Sequence, residues 1–391
     1  MNERPVILKK IFFIIPTLPG GGAERVMLHI LKHIDRNRFE PLLVLFEKKG
    51  DLLFDLPSKI TVKVLKSKKS IYGFKWLVFI NLARLLKLEK PDVAVSFMPY
   101  TNLITLLAKF LSRVRSAVVV SERCTLSISY EGWMDKLLRK LTIRFFYPKA
   151  NRIIVNSKNM GIELQQMFNI PLSKIAVIYN PIDIQKVNQL SNENINHFWY
   201  EENVPIIIAV GRITPQKGIL YLVKTLPLLA SEGIECRLAI LGKGAEEEKL
   251  KRLAKDLRIE DRVAFFGFQK NPYKYLAQST LFVLSSLYEG FPNALLEAMA
   301  LGVPSVATRC PTGPEEIITD GVDGILASPA DERSLAEAIK RLLQDKGLRK
   351  KLAEGGKKRI KEFRVEKILK QYEDVIEKVC VSCAKDKGSE Y

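Results

Sequence analysis

The sequence has 391 residues, and at roughly 150 residues per domain this length predicts two sizeable domains. Hydrophobic residues make up 47% of the chain and charged residues 27%, and this composition excludes a disordered or fibrous protein. Lysine or arginine interrupts every apolar run before it reaches the roughly 18 residues that a membrane-spanning helix needs. The sequence therefore predicts no transmembrane helix.

The opening apolar run and the cysteines indicate where the protein resides. Lysines interrupt the run and a glycine-rich turn follows it, which favours a first β-strand over a secretory signal. The five cysteines do not form a disulfide framework, and Cys380 and Cys383 have no second pair to complete a zinc site. These features predict a reducing, cytoplasmic compartment.

The positive charge is concentrated in the first part of the chain. The net charge is +19, and residues 1–150 hold 27 lysines and arginines against 12 acidic residues. Such a surplus attracts nucleic acid, an anionic membrane leaflet or a phosphate-bearing substrate. Zinc-finger spacing, a basic helix joined to heptads and an RNA-binding strand signature are all missing from the sequence, so nucleic acid is not an expected partner.

Residues 132–149 (GWMDKLLRKLTIRFFYPK) mix apolar and basic side chains in a way that is typical of a helix lying in a lipid interface. An ordinary surface helix with one core face has the same pattern, so both interpretations stay open. The basic residues expected to face the acceptor or the membrane are Arg113, Arg115, Arg123, Lys136, Arg139, Lys140 and Arg144, together with Lys66, Lys68 and Lys69.

In chain order, the pattern predicts strands at 9–16, 40–46, 93–98, 116–122 and 151–157, with helices at 21–34 and 76–89 among them. A polar stretch at 180–205 is expected to be a connection or an excursion. The alternation then resumes, with strands at 205–212, 236–242, 262–267, 280–286 and 303–308 separated by helical segments. Helices at 334–345 and 366–380 end the pattern.

This alternation predicts an α/β fold of two Rossmann-like, doubly wound domains that face each other across a cleft. We expect the first domain to cover residues 1–180 and the second to cover residues 181–365. A last helix at about 366–383 is expected to pack back onto the first domain. Ligands should bind at the carboxyl ends of the strands.

Three segments combine residues that suit a phosphorylated sugar. Gly20, Gly21 and Gly22 precede the first helix, where free amides attract an anion, although a tight turn would need the same residues. Residues 211–218 (GRITPQKG) place two cations in one loop at a strand end, where a diphosphate would lie. Glu289 follows another strand and Glu297 lies on the next helix, and such carboxylates accept hydrogen bonds from paired hydroxyls. For Glu297, an ordinary helix glutamate is the structural alternative.

Together these segments resemble a known family. GRITPQKG, the E-x7-E segment in residues 289–308 (EGFPNALLEAMALGVPSVAT) and GGAER at 21–25 are similar to the retaining nucleotide-sugar glycosyltransferases of family four, which have the GT-B fold. Further matches are YNPID at 179–183, LGKG at 241–244, GFQ at 267–269 and TGPEEII at 312–318. The resemblance covers nearly the whole chain.

The resemblance implies a role for each matching residue. Arg212 and Lys217 would bind the donor diphosphate, Glu289 the hydroxyls of the transferred sugar, and Glu297 those of the ribose. Gly21 and Gly22 would approach the same diphosphate from the first domain. The remaining donor-site residues would be Gly242, Gly244, Phe268, Phe291 and Asn293, and no metal or other cofactor is implied.

The chain departs from the family at one position. Many members place a histidine near the end of a strand in the first domain, where this sequence reads Ser121-Glu122-Arg123. This variant resembles a subgroup that extends sugars on polyprenyl-diphosphate carriers, and Arg123 is expected near an acceptor phosphate. His29 and His33 lie four residues apart on the first helix, but the sequence suggests no third metal ligand.

The sequence thus predicts a retaining glycosyltransferase, with catalytic residues Arg212, Lys217 and Glu289, that uses a UDP-sugar. Its expected acceptor is a lipid-linked glycan at the cytoplasmic face of the membrane, with the enzyme bound peripherally. One alternative is a transferase for a soluble or lipopolysaccharide-core acceptor. A non-enzymatic alternative is a basic binding protein without a donor site.

Overall fold

The computed structural model describes residues 8–65, 76–123 and 133–388. The chain divides into two compact units: unit 1 comprises residues 1–181 and 365–391, and unit 2 comprises residues 182–364. Each unit has its own parallel sheet. No helix among the described residues is long and apolar enough to cross a membrane.

Unit 1 contains a seven-stranded sheet within its described residues. Its strands are β1 (Lys9–Ile15), β2 (Phe39–Leu45), β3 (Thr61–Val64), β4 (Val93–Phe97), β5 (Ala117–Glu122), β6 (Arg152–Val155) and β7 (Ile175–Val177). They pair in parallel in the order β3-β2-β1-β4-β5-β6-β7. Residues 11–15 of β1 are fully buried, as expected for a parallel strand covered on both faces.

Helices connect these strands and cover both faces of the sheet. They are α1 (Gly22–His33), α2 (Trp76–Glu89), α3 (Pro99–Ser112), α4 (Trp133–Phe145) and α5 (Lys158–Phe168). Two hydrophobic cores result, one on each face of the sheet.

Unit 2 contains a six-stranded parallel sheet in the order β10-β9-β8-β11-β12-β13. Its strands are β8 (Ile206–Val210), β9 (Arg237–Leu241), β10 (Val263–Gly267), β11 (Leu281–Leu284), β12 (Ser305–Thr308) and β13 (Ile325–Ala327). Its helices are α6 (Ile184–Ser191), α7 (Ile219–Val223), α8 (Thr225–Ser231), α9 (Glu247–Asp256), α10 (Tyr273–Ala277), α11 (Asn293–Leu301), α12 (Pro314–Ile317), α13 (Glu332–Gln344) and α14 (Lys346–Arg359). The two Rossmann-like sheets predicted from the sequence are confirmed.

The last helix, α15 (Val365–Gly388), returns to unit 1 and contacts α1, β4 and β5. Ile368, Tyr372 and Ile376 are fully buried in the same core as the apolar face of α1. Residues at i, i+4 and i+8 lie on one side of a helix, so this single face of α15 completes the core.

Residues 180–205, predicted as a connection or excursion, contain a helix that the sequence pattern did not indicate. α6 lies within this stretch and packs on α10 and α11. Its first turn is capped by Asp183, whose carboxylate accepts from the backbone N–H of Lys186 at 2.9 Å. The ring of His197 lies 4.7 Å from that of Phe266, within an aromatic cluster. Local capping and aromatic packing therefore give structure to a segment without apolar periodicity.

The strand order of each sheet reverses direction at one point. In unit 1 the reversal lies between β1 and β4, and in unit 2 between β8 and β11. The loops that leave neighbouring strands there run to opposite faces of the sheet and open a crevice at the carboxyl edge. In unit 2 the loops after β8 and β11 contain Arg212, Lys217 and Glu289.

Candidate active site

The loop after β8 is held against the end of β11 by a close backbone approach. A short 3₁₀ turn, Pro215–Lys217, is followed by Gly218 with φ of +58°. A Cβ on Gly218 would lie 2.2 Å from the carbonyl oxygen of Ser285, so only glycine fits this position. The Ser285 hydroxyl donates to the Lys217 carbonyl at 2.9 Å. Together these contacts fix the position of Lys217.

Lys217 and Glu289 form an ion pair across the switch point. The Lys217 Nζ donates to Glu289 Oε1 at 2.6 Å, and the Ser286 hydroxyl donates to the same oxygen at 2.6 Å. The two charged side chains are 17% and 8% exposed. Since an ammonium has three donors and this contact uses one, Lys217 keeps capacity for an anionic ligand.

Arg212 lies in the same loop in a different environment. Its side chain is exposed and makes no hydrogen bond or ion pair with any described residue. A guanidinium presents a planar array of donors that matches phosphate oxygens. At this strand end the structure therefore places two cations. Lys217 is paired with Glu289, whereas Arg212 is exposed and has no partner among the described residues.

The second glutamate of the E-x7-E segment is buried on α11. Glu297 is 7% exposed, and the Tyr273 hydroxyl donates to its Oε1 at 3.4 Å. α11 begins at Asn293 and has no side-chain cap at its first turn. Its first amides face the carboxyl edge of the sheet, where a helix start attracts negative charge.

Phe291 was predicted to lie in the donor site, and its burial leaves only its backbone available for such a role. Its ring is 4% exposed and lies 5.4 Å from the ring of Phe363 in a T-shaped contact. The side chain therefore belongs to the packing of unit 2. Phe268, in contrast, is 54% exposed directly after β10, where a planar ligand could stack on it.

Two predicted glycines have a packing role that the sequence did not indicate. Gly242 has φ of +144°, and a Cβ there would lie 1.8 Å from the carbonyl oxygen of Gly211. A Cβ on Gly244 would lie 2.0 Å from the carbonyl oxygen of Ile213. These glycines let the loop after β9 pack directly on the loop that holds Arg212.

The glycines of unit 1 lie at the start of α1. Gly21 precedes the helix and Gly22 is its first residue. A Cβ on Gly21 would lie 2.5 Å from a carboxylate oxygen of Glu24, which is 6% exposed. A side chain at Gly21 would displace this carboxylate from the first turn.

The interpretation of Arg123 as an acceptor-phosphate residue was wrong. Its guanidinium is 7% exposed and donates to Asn180 Oδ1 at 2.6 Å, to Ser121 Oγ at 3.2 Å and to the Tyr372 hydroxyl. The guanidinium carbon also lies 4.9 Å from the ring centroid of Phe97. These contacts tie β5 to α15 and to the end of the first segment of unit 1, so the group is committed inside the protein.

The prediction that Arg139 faces the acceptor or the membrane was also wrong. Its side chain is 5% exposed and donates to Glu122 Oε1 at 3.1 Å, while Glu122 itself is fully buried. The Tyr147 hydroxyl donates to Glu122 Oε2 at 2.7 Å, and Asn102 Nδ2 donates to the Tyr147 oxygen at 2.9 Å. Burial and the nearby Glu122 carboxylate hold the pKa of Tyr147 well above its usual range, so the phenol stays a neutral donor.

The remaining basic residues predicted to face the acceptor or the membrane are either exposed or outside the described part of the chain. Arg113, Arg115, Lys140 and Arg144 are exposed. Lys66, Lys68 and Lys69 lie outside the described residues, as does the side chain of Lys136. On α4, Leu137, Leu138, Leu141 and Phe145 are 49%, 48%, 42% and 56% exposed. This helix therefore buries Arg139 together with Ile143 and exposes these four large apolar residues, whereas an ordinary surface helix buries its large apolar side chains.

Sequence reasoning missed several residues that support the site. Ser286 and Tyr273 bond the two glutamates, and the Thr312 hydroxyl donates to the carbonyl of Glu289. Burial and the Glu289 carboxylate raise the pKa of Cys310 to about 12, so this thiol stays protonated. TGPEEII at 312–318 was the one signal available, because it follows β12 at the same sheet edge.

His29 and His33 pack along α1, with the carbonyl of His29 3.0 Å from His33 Nδ1. Within the described part of the chain, no group of three or more histidine, cysteine, aspartate or glutamate residues has an arrangement that could hold a metal ion.

Comparisons with known proteins agree with this architecture. A family model described as Glycosyltransferase Family 4 matches residues 20–186, and one described as Glycosyl transferases group 1 matches residues 192–359. A solved structure of HepE from Anabaena, in complex with UDP and glucose, aligns with a TM-score of 0.79 at 22% identity and covers 95% of this chain and 100% of that one.

Two curated relatives match most of the chain. A Campylobacter jejuni protein named N-acetylgalactosamine-N,N'-diacetylbacillosaminyl-diphospho-undecaprenol 4-alpha-N-acetylgalactosaminyltransferase is 31% identical over 363 residues, which are 91% of this chain and 96% of that protein. The lipopolysaccharide core biosynthesis glycosyltransferase LpsE of Rhizobium meliloti is 34% identical over 337 residues, 86% of this chain and 89% of that protein.

The two doubly wound sheets, together with these matches, define a glycosyltransferase with the GT-B fold. The chain belongs to the group 1 glycosyltransferases, and its amino-terminal half is of the family 4 type.

Proposed function

We propose that this glycosyltransferase moves a hexose or N-acetylhexosamine from a UDP-sugar to a lipid-linked glycan at the cytoplasmic face of the membrane, with retention of anomeric configuration. The observation that carries the donor assignment is the Lys217–Glu289 ion pair at the switch point of unit 2, with Arg212 exposed in the same loop. Cations for a diphosphate and a carboxylate for a sugar thus occur at one sheet edge.

The proposed reaction uses these charges in the bond-breaking step. The bond between the anomeric carbon and the diphosphate oxygen breaks, and its electron pair stays on that oxygen. Lys217 and Arg212 stabilise this growing negative charge, which lowers the barrier. The acceptor hydroxyl attacks the anomeric carbon from the same face, and its proton passes to the departing diphosphate.

Glu289 and Glu297 have different proposed partners. Glu289 contacts Lys217, which supports a role in which Glu289 accepts hydrogen bonds from the hydroxyls of the transferred sugar. Glu297 lies about one turn from the start of α11 and accepts hydrogen bonds from the ribose hydroxyls. Gly242, Gly244 and Phe268 border the nucleobase, and Gly21 with Gly22 approaches the diphosphate.

The lipid-linked acceptor rests on two observations. The Campylobacter jejuni relative is named for a diphospho-undecaprenol substrate. In addition, α4 exposes Leu137, Leu141 and Phe145 beside Lys140 and Arg144, an arrangement that suits an anionic lipid interface. Peripheral binding through unit 1 would bring the enzyme to its acceptor.

A lipopolysaccharide-core acceptor is the second candidate, because LpsE of Rhizobium meliloti is 34% identical to this chain. The two candidates differ in the phosphate that unit 1 would meet. In the first it belongs to a polyprenyl diphosphate, and in the second to a phosphorylated core sugar.

The test is a screen of nucleotide sugars, with membrane lipid extracts and purified lipopolysaccharide core as parallel acceptors. We expect transfer from a UDP-sugar to the lipid extract. Product on the core alone would favour the second candidate, and no transfer or hydrolysis with any nucleotide sugar would contradict the proposed activity.

Glu289→Ala sharpens this screen. Because Glu289 contacts the sugar and not the nucleotide in the proposal, the variant should keep most of its UDP affinity and lose at least about a hundredfold in turnover. Glu260→Ala, an exposed glutamate elsewhere in unit 2, is the matched control and should retain full turnover. Unimpaired turnover in Glu289→Ala would remove this residue from the mechanism.

A further inference from the structure

Unit 1 contains a strongly basic cavity that the proposed reaction does not use. Its volume is about 300 Å³. Five of the residues lining it are lysine or arginine, and none of the lining residues is acidic. The lining comprises Lys109, Lys149, Ala150, Asn151, Arg152, Lys174, Lys378, Val379 and Ser382.

The cavity lies at the opposite edge of the sheet from the carboxyl ends of the strands. Arg152 is the first residue of β6, and Lys174 directly precedes β7. Lys109 lies in the last turn of α3, a helix that begins at the carboxyl end of β4 and runs back to the other edge. The basic cavity is therefore separate from the edge where ligands of doubly wound sheets bind.

Two of the five cations are uncommitted within the described part of the chain. Lys174 Nζ donates to the carbonyls of Pro148 and Ala150, the latter at 3.2 Å, and Lys109 Nζ donates to Asn151 Oδ1 at 3.5 Å. The side chains of Arg152 and Lys378 make no hydrogen bond or ion pair with a described residue. Like charges held together without an acid repel one another, and a bound anion would relieve this repulsion.

Two exposed aromatic residues lie close in the chain to lysines that line the same cavity. Phe110, next to Lys109, is 79% exposed, and Lys149 Nζ lies 5.9 Å from its ring centroid. Phe145, at the end of α4, is 56% exposed and precedes Lys149 by one turn of chain. Aromatic rings next to basic side chains are enriched where proteins meet lipid headgroups.

We infer that the basic cavity binds the phosphate headgroup of an anionic phospholipid, with Phe110 and Phe145 entering the lipid interface beside it. The inference deepens the membrane-binding part of the proposed function. α4 leaves the carboxyl edge after β5 and ends near the cavity, a span of about 20 Å for 13 residues. One lipid surface along α4 would thus reach from the acceptor edge to the basic cavity.

The experiment is sedimentation of the full chain with vesicles of phosphatidylglycerol and phosphatidylethanolamine. We expect Arg152→Ala combined with Lys378→Ala to weaken vesicle binding by roughly tenfold to thirtyfold. Lys255→Ala combined with Lys358→Ala removes the same charge from exposed sites in unit 2 and should weaken it much less. Phe110→Ser keeps every cation and should lower the binding that persists at high salt.

Three results would overturn the inference. The first is equal vesicle binding by the cavity variant and the wild type, and the second is an equal loss of binding in the unit 2 control. The third is thermal stabilisation by inorganic phosphate without any vesicle binding that depends on the cavity. UDP binding, followed in parallel by calorimetry, is expected to be unchanged in all these variants. If the wild type does not bind UDP, the proposed function is contradicted. If only the effect of the cavity substitutions on vesicle binding is missing, this inference alone is contradicted.

Discussion

The carboxyl edges of the two sheets both carry a glutamate and basic residues. In unit 1 these charged groups are bound up inside the protein, whereas in unit 2 part of them remains available to a ligand. At the end of β5 in unit 1, Glu122 is fully buried and Arg123 is 7% exposed, each with several partners inside the unit. In the loops after β8 and β11 of unit 2, Lys217 and Glu289 are only partly committed, and Arg212 is exposed.

This difference separates charged residues that stabilise the fold from charged residues that can bind a substrate. A buried charged group whose partners lie inside the protein is not available to a ligand, and its loss acts on folding. The Lys217 ammonium uses one of its three donors on Glu289, and Arg212 is exposed in the same loop, so this site retains donors that a substrate can use. Substitutions at the two edges should therefore separate into stability defects and activity defects.

The largest expected effect is on the stability of unit 1. Arg139→Met leaves the buried Glu122 carboxylate without its cation and should lower the free energy of unfolding by about 3 to 5 kcal/mol. Hydrogen exchange should show faster opening at β4 and β5 than in the wild type. Lys140→Met, an exposed neighbour on the same helix, is the control and should change stability by less than about 0.5 kcal/mol. Equal stability of the two variants would refute the structural assignment of Arg139.

The next effect is on turnover. Lys217→Ala removes a cation next to the departing phosphate and should reduce turnover by about 10²- to 10³-fold, with little change in the exchange rates of unit 1. Lys255→Ala, exposed on α9, is the matched control. A Lys217→Ala enzyme with wild-type turnover would move the leaving-group site away from this loop.

A smaller expected effect is the loss of stability in unit 2 when the close packing beside the donor loop is disturbed. Gly242→Ala places a methyl group against the carbonyl of Gly211 and should destabilise unit 2 by about 2 to 4 kcal/mol. Gly233 also has a positive φ, +73°, but no heavy atom lies within 4 Å of an added Cβ, so Gly233→Ala should cost about 1 kcal/mol. Thermal unfolding measures both, and equal losses would show that the close approach at Gly242 is unimportant.

The sequence predicted most of the sheet framework because buried parallel strands are continuous apolar runs. The sequence pattern did not predict β3, β7 and β13, since three or four residues are too few to show a pattern and none of those in β3 and β7 is buried. α6 was missed because its stability comes from Asp183 capping and from contacts with α10 and α11.

The positions of charged residues were harder to predict than the elements that bear them. Arg123 reaches Asn180 and Tyr372, which lie 57 and 249 residues away in the chain, and no local pattern shows such contacts. On α4 the buried residues include Arg139 as well as Ile143, and the exposed residues include Leu137. Sequence periodicity indicates that a helix has two faces, whereas tertiary packing determines which face is buried.

The most direct test of the account is calorimetric titration of UDP into the wild type, into Arg212→Ala combined with Lys217→Ala, and into Lys255→Ala combined with Lys358→Ala. The account predicts binding to the wild type and to the last variant, and a loss of at least about tenfold in affinity for the first pair. No binding of millimolar UDP to the wild type, or undiminished binding after both loop cations are removed, would contradict it.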